Sequence, residues 1–382
     1  MSAEPRVLLD ATSIPPSRGG VARFIAGLAA GLAEEGHLID VVAKADDLPF
    51  LRAAAPGHRY HAAPERLRSR PQRFVWEQTG LPRLARRLGC TVIHSPHYTF
   101  PLLAAGRPRL RRVVTVHDAT FFSAPEAHSR LKGVFFRRWI RLASSRADRL
   151  VAVSEATARE IRQYVPRVRP AIDVAHLGVD HGTFRPPSAE QVERIRARLG
   201  LPAGEHWVGF LGTIEPRKNV PALIRAVQAL RAADPSTPRL ALSGSRGWDE
   251  EATALLDDPA TATDVIEAGY LPLEELNAFL GGARVVAYPS IGEGFGLPVL
   301  EAMASGAPVL TTPRLAIPEV GGDAVAYSEP DEASLAEALG ALLADDGRRA
   351  DLAAAGLDRS ALFTWAACAR VYAAAYRGGA AS

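Results

Sequence analysis

The stretch RVVAYPSIGEGFGLPVLEAMASG, residues 284–306, couples three patterns in one short segment. Residues 284–290 form a short apolar run of the kind that parallel strands show when both their faces are covered. Gly292, Gly294 and Gly296 follow within five residues. Leu297-Pro298 then opens a helical pattern, and proline suits the start of a helix because it lacks an N–H that would have no partner there. A strand that turns through a glycine loop into a helix is half of a parallel β-α-β unit. Its loop aims backbone donors and the positive end of the helix dipole at an anion. The spacing is GxGxG and not the GxGxxG of nicotinamide and flavin enzymes.

Outward from this segment, strand and helix alternate along the chain in two sets. The first holds strand patterns at 6–12, 38–43, 91–95, 113–118, 150–154 and 172–176. Val21, Phe24, Ile25, Leu28 and Leu32 lie at helical spacing after the first of them. A polar, proline-containing stretch, GVDHGTFRPPS (178–188), interrupts the pattern. It restarts with strands at 207–213, 239–244, 264–270, 284–290 and 308–312. The reading is an α/β chain of two Rossmann-like domains facing across a cleft. Residues 1–183 form the first domain and 184–362 the second, with a C-terminal helix over 363–378 expected to pack back on the first. In such sheets ligands bind beyond the carboxyl ends of the strands, so the informative residues should lie there.

The 382-residue length suits two domains, and the composition is globular, with 47% hydrophobic and 23% charged residues. No stretch is apolar enough to span a bilayer, and no secretory leader is visible at the N-terminus. Cys90 and Cys368 lie far apart without metal-ligand spacing, which fits a reduced, cytoplasmic setting. The net charge of +3 hides an asymmetry: residues 1–180 carry 28 Lys and Arg against 16 Asp and Glu, while the remainder carries 17 against 26. The basic half reads either as a solvated face or as a surface for an anionic partner, with membrane lipid ahead of nucleic acid.

Several side chains stand at the expected strand ends. Glu293 lies in the glycine loop and Glu301 is expected in the first turn of the helix, where the dipole stabilises a carboxylate. Carboxylates also bind vicinal hydroxyls, so a diphosphate flanked by two sugars would satisfy the loop and both glutamates. In LGTIEPRKNV (211–220), Arg217 and Lys218 follow a strand, and Asn219 is the expected helix cap. They read as surface charge or as a fork and a point charge for a pyrophosphate. Gly19 and Gly20 open the first helix, as a turn or as a site of close approach to a ligand. His117 and Asp118 end VVTVHD (113–118), and the histidine reads as structural or as facing the cleft.

Together these residues match a family. Glu293 and Glu301 form the E-x7-E pattern of retaining GT-B glycosyltransferases, and GEGFGLPVLEAMASGAPVLTT (292–312) resembles the donor-site signature of glycosyltransferase family 4. GTIEPRKN is similar to the phosphate-binding motif of the mannosyl- and rhamnosyl-transferring branch, and SRGGVARF, VHD and VSEAT match in order. The resemblance implies that Arg217 and Lys218 bind the donor diphosphate and that Glu301 holds the ribose. Glu293, Gly294, Phe295 and Gly296, with Leu297 next to them, would hold the donor hexose, contacted also by His117. Gly19 and Gly20 would lie near the phosphates and acceptor, and Gly269, Tyr270 and Leu271 beside the base. Thr213 departs from the pattern, since many members carry arginine there, and Arg217 would supply that charge.

The implied reaction moves a hexose with retention, without a metal or other cofactor. The donor would be GDP-mannose, or else dTDP-rhamnose or a UDP-hexose. The acceptor would be a glycan, a lipid-linked sugar or a small molecule, as in cell-surface polysaccharide synthesis, with no role for nucleic acid. RLKGVFFRRWIRLASSR (130–146) would either meet an anionic membrane peripherally or face the core with its apolar side. A sugar-nucleotide epimerase and a non-catalytic nucleotide-sugar-binding protein are the competing readings. A glycosidase using Glu293 and Glu301 as its carboxylate pair would leave the glycine loop and Lys218 unexplained.

Overall fold

A computed structural model describes residues 4–15, 18–67, 69–104, 110–125 and 129–378. The chain divides into two compact units, one running to Gly178 and resuming at Phe363, the other Val179–Leu362. The first boundary thus precedes the one expected at residue 183. Part of the SRGGVARF motif, at residue 17, lies outside the described residues.

Unit 1 holds seven strands: β1 Val7–Asp10, β2 Asp40–Ala43, β3 Arg59–Ala62, β4 Val92–Ser95, β5 Arg111–Val116, β6 Arg149–Ala152 and β7 Ile172–Val174. They pair in parallel in the order β3-β2-β1-β4-β5-β6-β7. Unit 2 holds β8 Trp207–Leu211, β9 Arg239–Ser243, β10 Val265–Gly269, β11 Val285–Tyr288, β12 Val309–Thr311 and β13 Ala326–Tyr327. These are again all parallel, in the order β10-β9-β8-β11-β12-β13. Central strands such as β1, β4, β8 and β11 are buried along their whole length, which is why they read as unbroken apolar runs. Each sheet reverses its strand order once, between β1 and β4 and between β8 and β11. At such reversals the following loops diverge to opposite faces and leave a crevice at the carboxyl edge.

The C-terminal helix Trp365–Arg377 packs on helix Gly20–Glu34 of unit 1. The indole of Trp365 fills the place where a side chain at Gly27 would stand: a Cβ there would come within 2.0 Å of the ring. Buried polar groups fix the register of the helix. Tyr372 and Thr115 share a hydroxyl hydrogen bond of 2.9 Å, and Tyr376 Oη lies 2.8 Å from His94 Nδ1. His94 Nε2 in turn meets Thr115 Oγ1 at 2.8 Å. Burial holds this imidazole neutral, with its pKa lowered to about 3.

Candidate active site

The reversal in unit 2 brings two segments together. β8 runs into the 3-10 turn Pro216–Lys218, and β11 runs through Pro289 and Ser290 into the glycine loop and helix Leu297–Ala304. The two loops are stitched together: Ile291 N donates to Arg217 O at 2.9 Å, Ser290 Oγ lies 2.9 Å from the same oxygen, and Arg217 Nη1 donates to Gly292 O at 3.0 Å.

One carboxylate oxygen organises this junction. Glu293 Oε1 accepts from Arg217 Nη1 at 2.7 Å, Lys218 Nζ at 2.5 Å, Tyr288 Oη at 2.9 Å and Ser290 Oγ at 2.8 Å. Arg217 also pairs with Glu215 at 2.7 Å, and Lys218 donates to the Tyr288 hydroxyl. The Lys218 ammonium lies 4.7 Å from the centre of the Tyr288 ring. Two cations thus face two carboxylates in a nearly dry site, where Lys218 and Glu293 are both over nine-tenths buried. Burial by itself would raise the Glu293 carboxyl, but Arg217 and Lys218 outweigh it and hold its pKa down to about 2. Burial, with Arg217 beside it, lowers that of Lys218 against the pull of Glu293 and Glu215. Burial and then the charge of Glu293 push the Tyr288 phenol well above its ordinary range.

The remaining donor-site expectations fall around this cluster. Gly294, Phe295 and Gly296 are buried in the loop, and Gly296 caps the helix at φ +105°, a conformation suited to glycine. A Cβ there would also come within 2.8 Å of Ile317 Cδ1. Leu297 is the first helical residue and half-buried. Glu301 lies in the second turn and not in the first, so the helix dipole acts on it less than expected; it is buried in the helix's inner face. Thr213 is exposed just past β8. Beyond β10, Leu271 is buried while Tyr270 is 64% exposed, a free aromatic face at the carboxyl edge of the sheet. Asn219 takes the left-handed conformation at φ +57° and makes no capping bond; its side chain donates instead to Pro330 O.

Unit 1 has its own reversal of strand order, between β1 and β4. Gly19 caps helix Gly20–Glu34, and a side chain added at Gly19 or Gly20 would meet no atom within 4 Å. His117 Nε2 is 2.7 Å from Pro96 O, so Nε2 carries the proton and Nδ1 is left as an acceptor. Burial lowers its pKa, which keeps the ring neutral. Phe24 meets the ring edge-on at 4.8 Å. Asp118 accepts from Tyr98 Oη at 2.9 Å and from Thr120 Oγ1 at 2.8 Å. Tyr98 itself stands at φ +52°, a costly conformation for a non-glycine residue.

Sequence reasoning missed Tyr288, Ser290 and Glu215 as members of the donor cluster, and in unit 1 Tyr98 and His97, whose ring lies 6.0 Å from that of His117. Glu215 stands inside the quoted EPRKN motif, where its charge was visible. Tyr288 was hidden by its setting in an apolar strand. Among the described residues, no group of three or more His, Cys, Asp or Glu is placed to hold a metal ion.

The Glycosyltransferase Family 4 profile matches residues 18–183, and the Glycosyl transferases group 1 profile matches residues 191–359. The chain is 31% identical over 280 residues to O-antigen chain mannosyltransferase B of Escherichia coli, covering 72% of this chain and 71% of that protein. A D-inositol 3-phosphate glycosyltransferase of Nocardiopsis dassonvillei is 29% identical over 91% of this chain and 86% of its own. Among solved structures, Anabaena HepE in complex with UDP and glucose superposes with a TM-score of 0.76 at 18% identity, covering 98% and 99% of the two chains. The two parallel Rossmann-like sheets are those of a GT-B glycosyltransferase. The chain belongs to the family 4, group 1 glycosyltransferases and is an enzyme of that class.

Proposed function

We propose that the enzyme transfers a hexose, with mannose as the first choice, from a nucleoside diphosphate sugar to a glycan or lipid-linked acceptor, with retention of configuration. The observation that carries this reading is the Arg217–Lys218–Glu293 cluster at the β8/β11 reversal, beside a glycine loop that opens a helix. Arg217 and Lys218 are suited to the diphosphate, Glu293 and the loop amides to the hexose, and Glu301 to the ribose. His117 Nδ1 is suited to accept from a sugar hydroxyl. As the C1–O bond to the diphosphate breaks, the acceptor oxygen bonds to C1 on the same face. Its proton passes to the departing phosphate. Arg217, Lys218 and the helix terminus offset the growing charge, so the reaction is proposed to run without a metal.

Mannose is favoured by the EPRKN motif and by the E. coli relative, whose name specifies a mannosyltransferase. The second relative's name specifies inositol phosphate as its substrate, so a small phosphorylated acceptor is a second option. Among the described residues no helix is long and apolar enough to cross a membrane. Helix Arg130–Arg146 turns Trp139 and Ile140 inward but leaves Leu131 83%, Val134 58% and Phe135 40% exposed among basic residues. This surface supports a peripheral contact with anionic lipid on the cytoplasmic side.

GDP-mannose, dTDP-rhamnose and UDP-hexoses, each offered with glycan and lipid-linked acceptors, test the reading, with the product anomer read by NMR. Transfer with retention from one donor is expected. Binding without transfer or hydrolysis would favour a nucleotide-sugar-binding protein, and C2 inversion of the free donor would favour an epimerase. Co-sedimentation with vesicles containing anionic lipid tests the membrane contact, and equal recovery with neutral vesicles would remove it.

A further inference from the structure

We propose that Tyr288 is a positioning residue of the donor site, its phenol bridging the Lys218 ammonium and the Glu293 carboxylate and fixing the direction of the ammonium. The inference rests on the donor-site reading above. Tyr288 ends β11 with no exposed surface, its ring stacked on Phe210 of β8 at 5.8 Å and 19°. Thr311 Oγ1 donates to its carbonyl at 2.8 Å, so the backbone beneath the ring is tied to β12. A phenol locked this way has one free choice, the direction of its O–H. Glu293 Oε1 at 2.9 Å takes that proton, and the oxygen's lone pairs accept from Lys218.

The arrangement solves a physical problem of the site. Lys218 is attached to a flexible four-carbon stem and already meets Glu293 at 2.5 Å, so the direction of its remaining protons depends on its other acceptor. The phenol gives the ammonium a second, neutral acceptor and places the aromatic face 4.7 Å from it. Both interactions favour the charged amine in a buried place that disfavours it. The charged groups that face Lys218 are Arg217, Glu215 and Glu293, and Tyr288 is the uncharged one among its partners. Removing only the hydroxyl leaves the ion pair in place but lowers the affinity of Lys218 for its proton.

The test uses Tyr288→Phe, with Lys218→Ala as reference, and titration calorimetry with UDP, GDP and inorganic pyrophosphate between pH 6 and 10. In the wild-type enzyme, affinity for a nucleoside diphosphate should fall on the alkaline side as Lys218 loses its proton. In Tyr288→Phe that fall should begin about one pH unit lower, and affinity at pH 8 should drop about tenfold, the loss of one hydrogen bond to a charged group. With the donor sugar in hand, kcat should fall more than KM rises, because the misplaced ammonium fails the departing diphosphate most. A packing role alone would lower the melting temperature and leave the alkaline limb where it was; that result overturns the proposal. If Lys218→Ala binds all three ligands like the wild type, the donor-site reading itself fails. If Lys218→Ala loses binding while Tyr288→Phe keeps the wild-type pH profile, only the role of Tyr288 fails.

Discussion

Gly27 gives the sharpest test of how the C-terminal helix is held. It lies inside helix Gly20–Glu34, where alanine would ordinarily stabilise by about 1 kcal/mol. Here a Cβ would stand 2.0, 2.4 and 2.4 Å from Cε2, Cδ2 and Cζ2 of Trp365, against about 3.5–4.0 Å for relaxed carbon contacts. The indole must retreat by on the order of 1 Å or more, and it has little room: at Gly31, one turn on, the obstacle is the Trp365 backbone itself. Overpacking of this kind costs up to about 3 kcal/mol. Gly27→Ala should therefore destabilise by a net of about 2 kcal/mol. In a Trp365→Ala background the obstacle is gone, and the same change should stabilise by about 1 kcal/mol. The coupling between the two sites is then about 3 kcal/mol, well beyond what distant residues show. Urea unfolding of the four proteins measures it, with hydrogen exchange over residues 20–34 and 365–377 assigning the transition to unit 1. A stabilised Gly27→Ala single variant, or an equal effect in both backgrounds, would refute the packing described for Trp365.

Other consequences follow from the donor cluster. Glu293 has its folded pKa lowered to about 2, below the ordinary carboxyl value near 4.3. Its contribution is therefore present above that ordinary value and lost as pH falls toward 2. Unit 2 should lose on the order of 3 kcal/mol over this window, and Glu293→Gln should flatten that slope in acid titrations followed by circular dichroism. Gly296→Ala forces a side chain into φ +105° and against Ile317, so it should distort the glycine loop. Nucleoside diphosphate affinity should fall at least tenfold while helix content is kept, as calorimetry and circular dichroism would read. Thr364→Ala removes the side chain that accepts from Ala367 N at 3.1 Å and should cost about 1 kcal/mol in urea unfolding.

What the sequence disclosed follows from what periodicity encodes. The buried central strands have no solvent face, so they appear as apolar runs bounded by turns, and the rule that ligands bind beyond parallel strands led to the carboxyl edges. β3, Arg59–Ala62, was not visible because it is an edge strand with exposed ends, and β13 spans only Ala326–Tyr327. The tie between His94 and Tyr376 joins residues far apart in the chain, which no local pattern records. Charge in the glycine loop pointed to Glu293, and charge just past a strand to Arg217 and Lys218. The sharing of one carboxylate oxygen by four donors is a property of two loops meeting, as is the place of Tyr288 among them. Asn219 shows the limit of residue statistics: it stands where a cap belongs, but its amide is drawn to Pro330 O.

In the proposed reaction unit 2 binds a sugar nucleotide and Lys218 assists departure of the diphosphate. Steady-state release of nucleoside diphosphate from the best donor, compared between the wild type and Lys218→Ala at saturating donor, measures that role. In Lys218→Ala, kcat should fall by roughly two orders of magnitude, the scale of losing one preorganised donor to a developing anion, with the fold unchanged by circular dichroism. Near-wild-type turnover in a folded Lys218→Ala enzyme would rule out that role for Lys218.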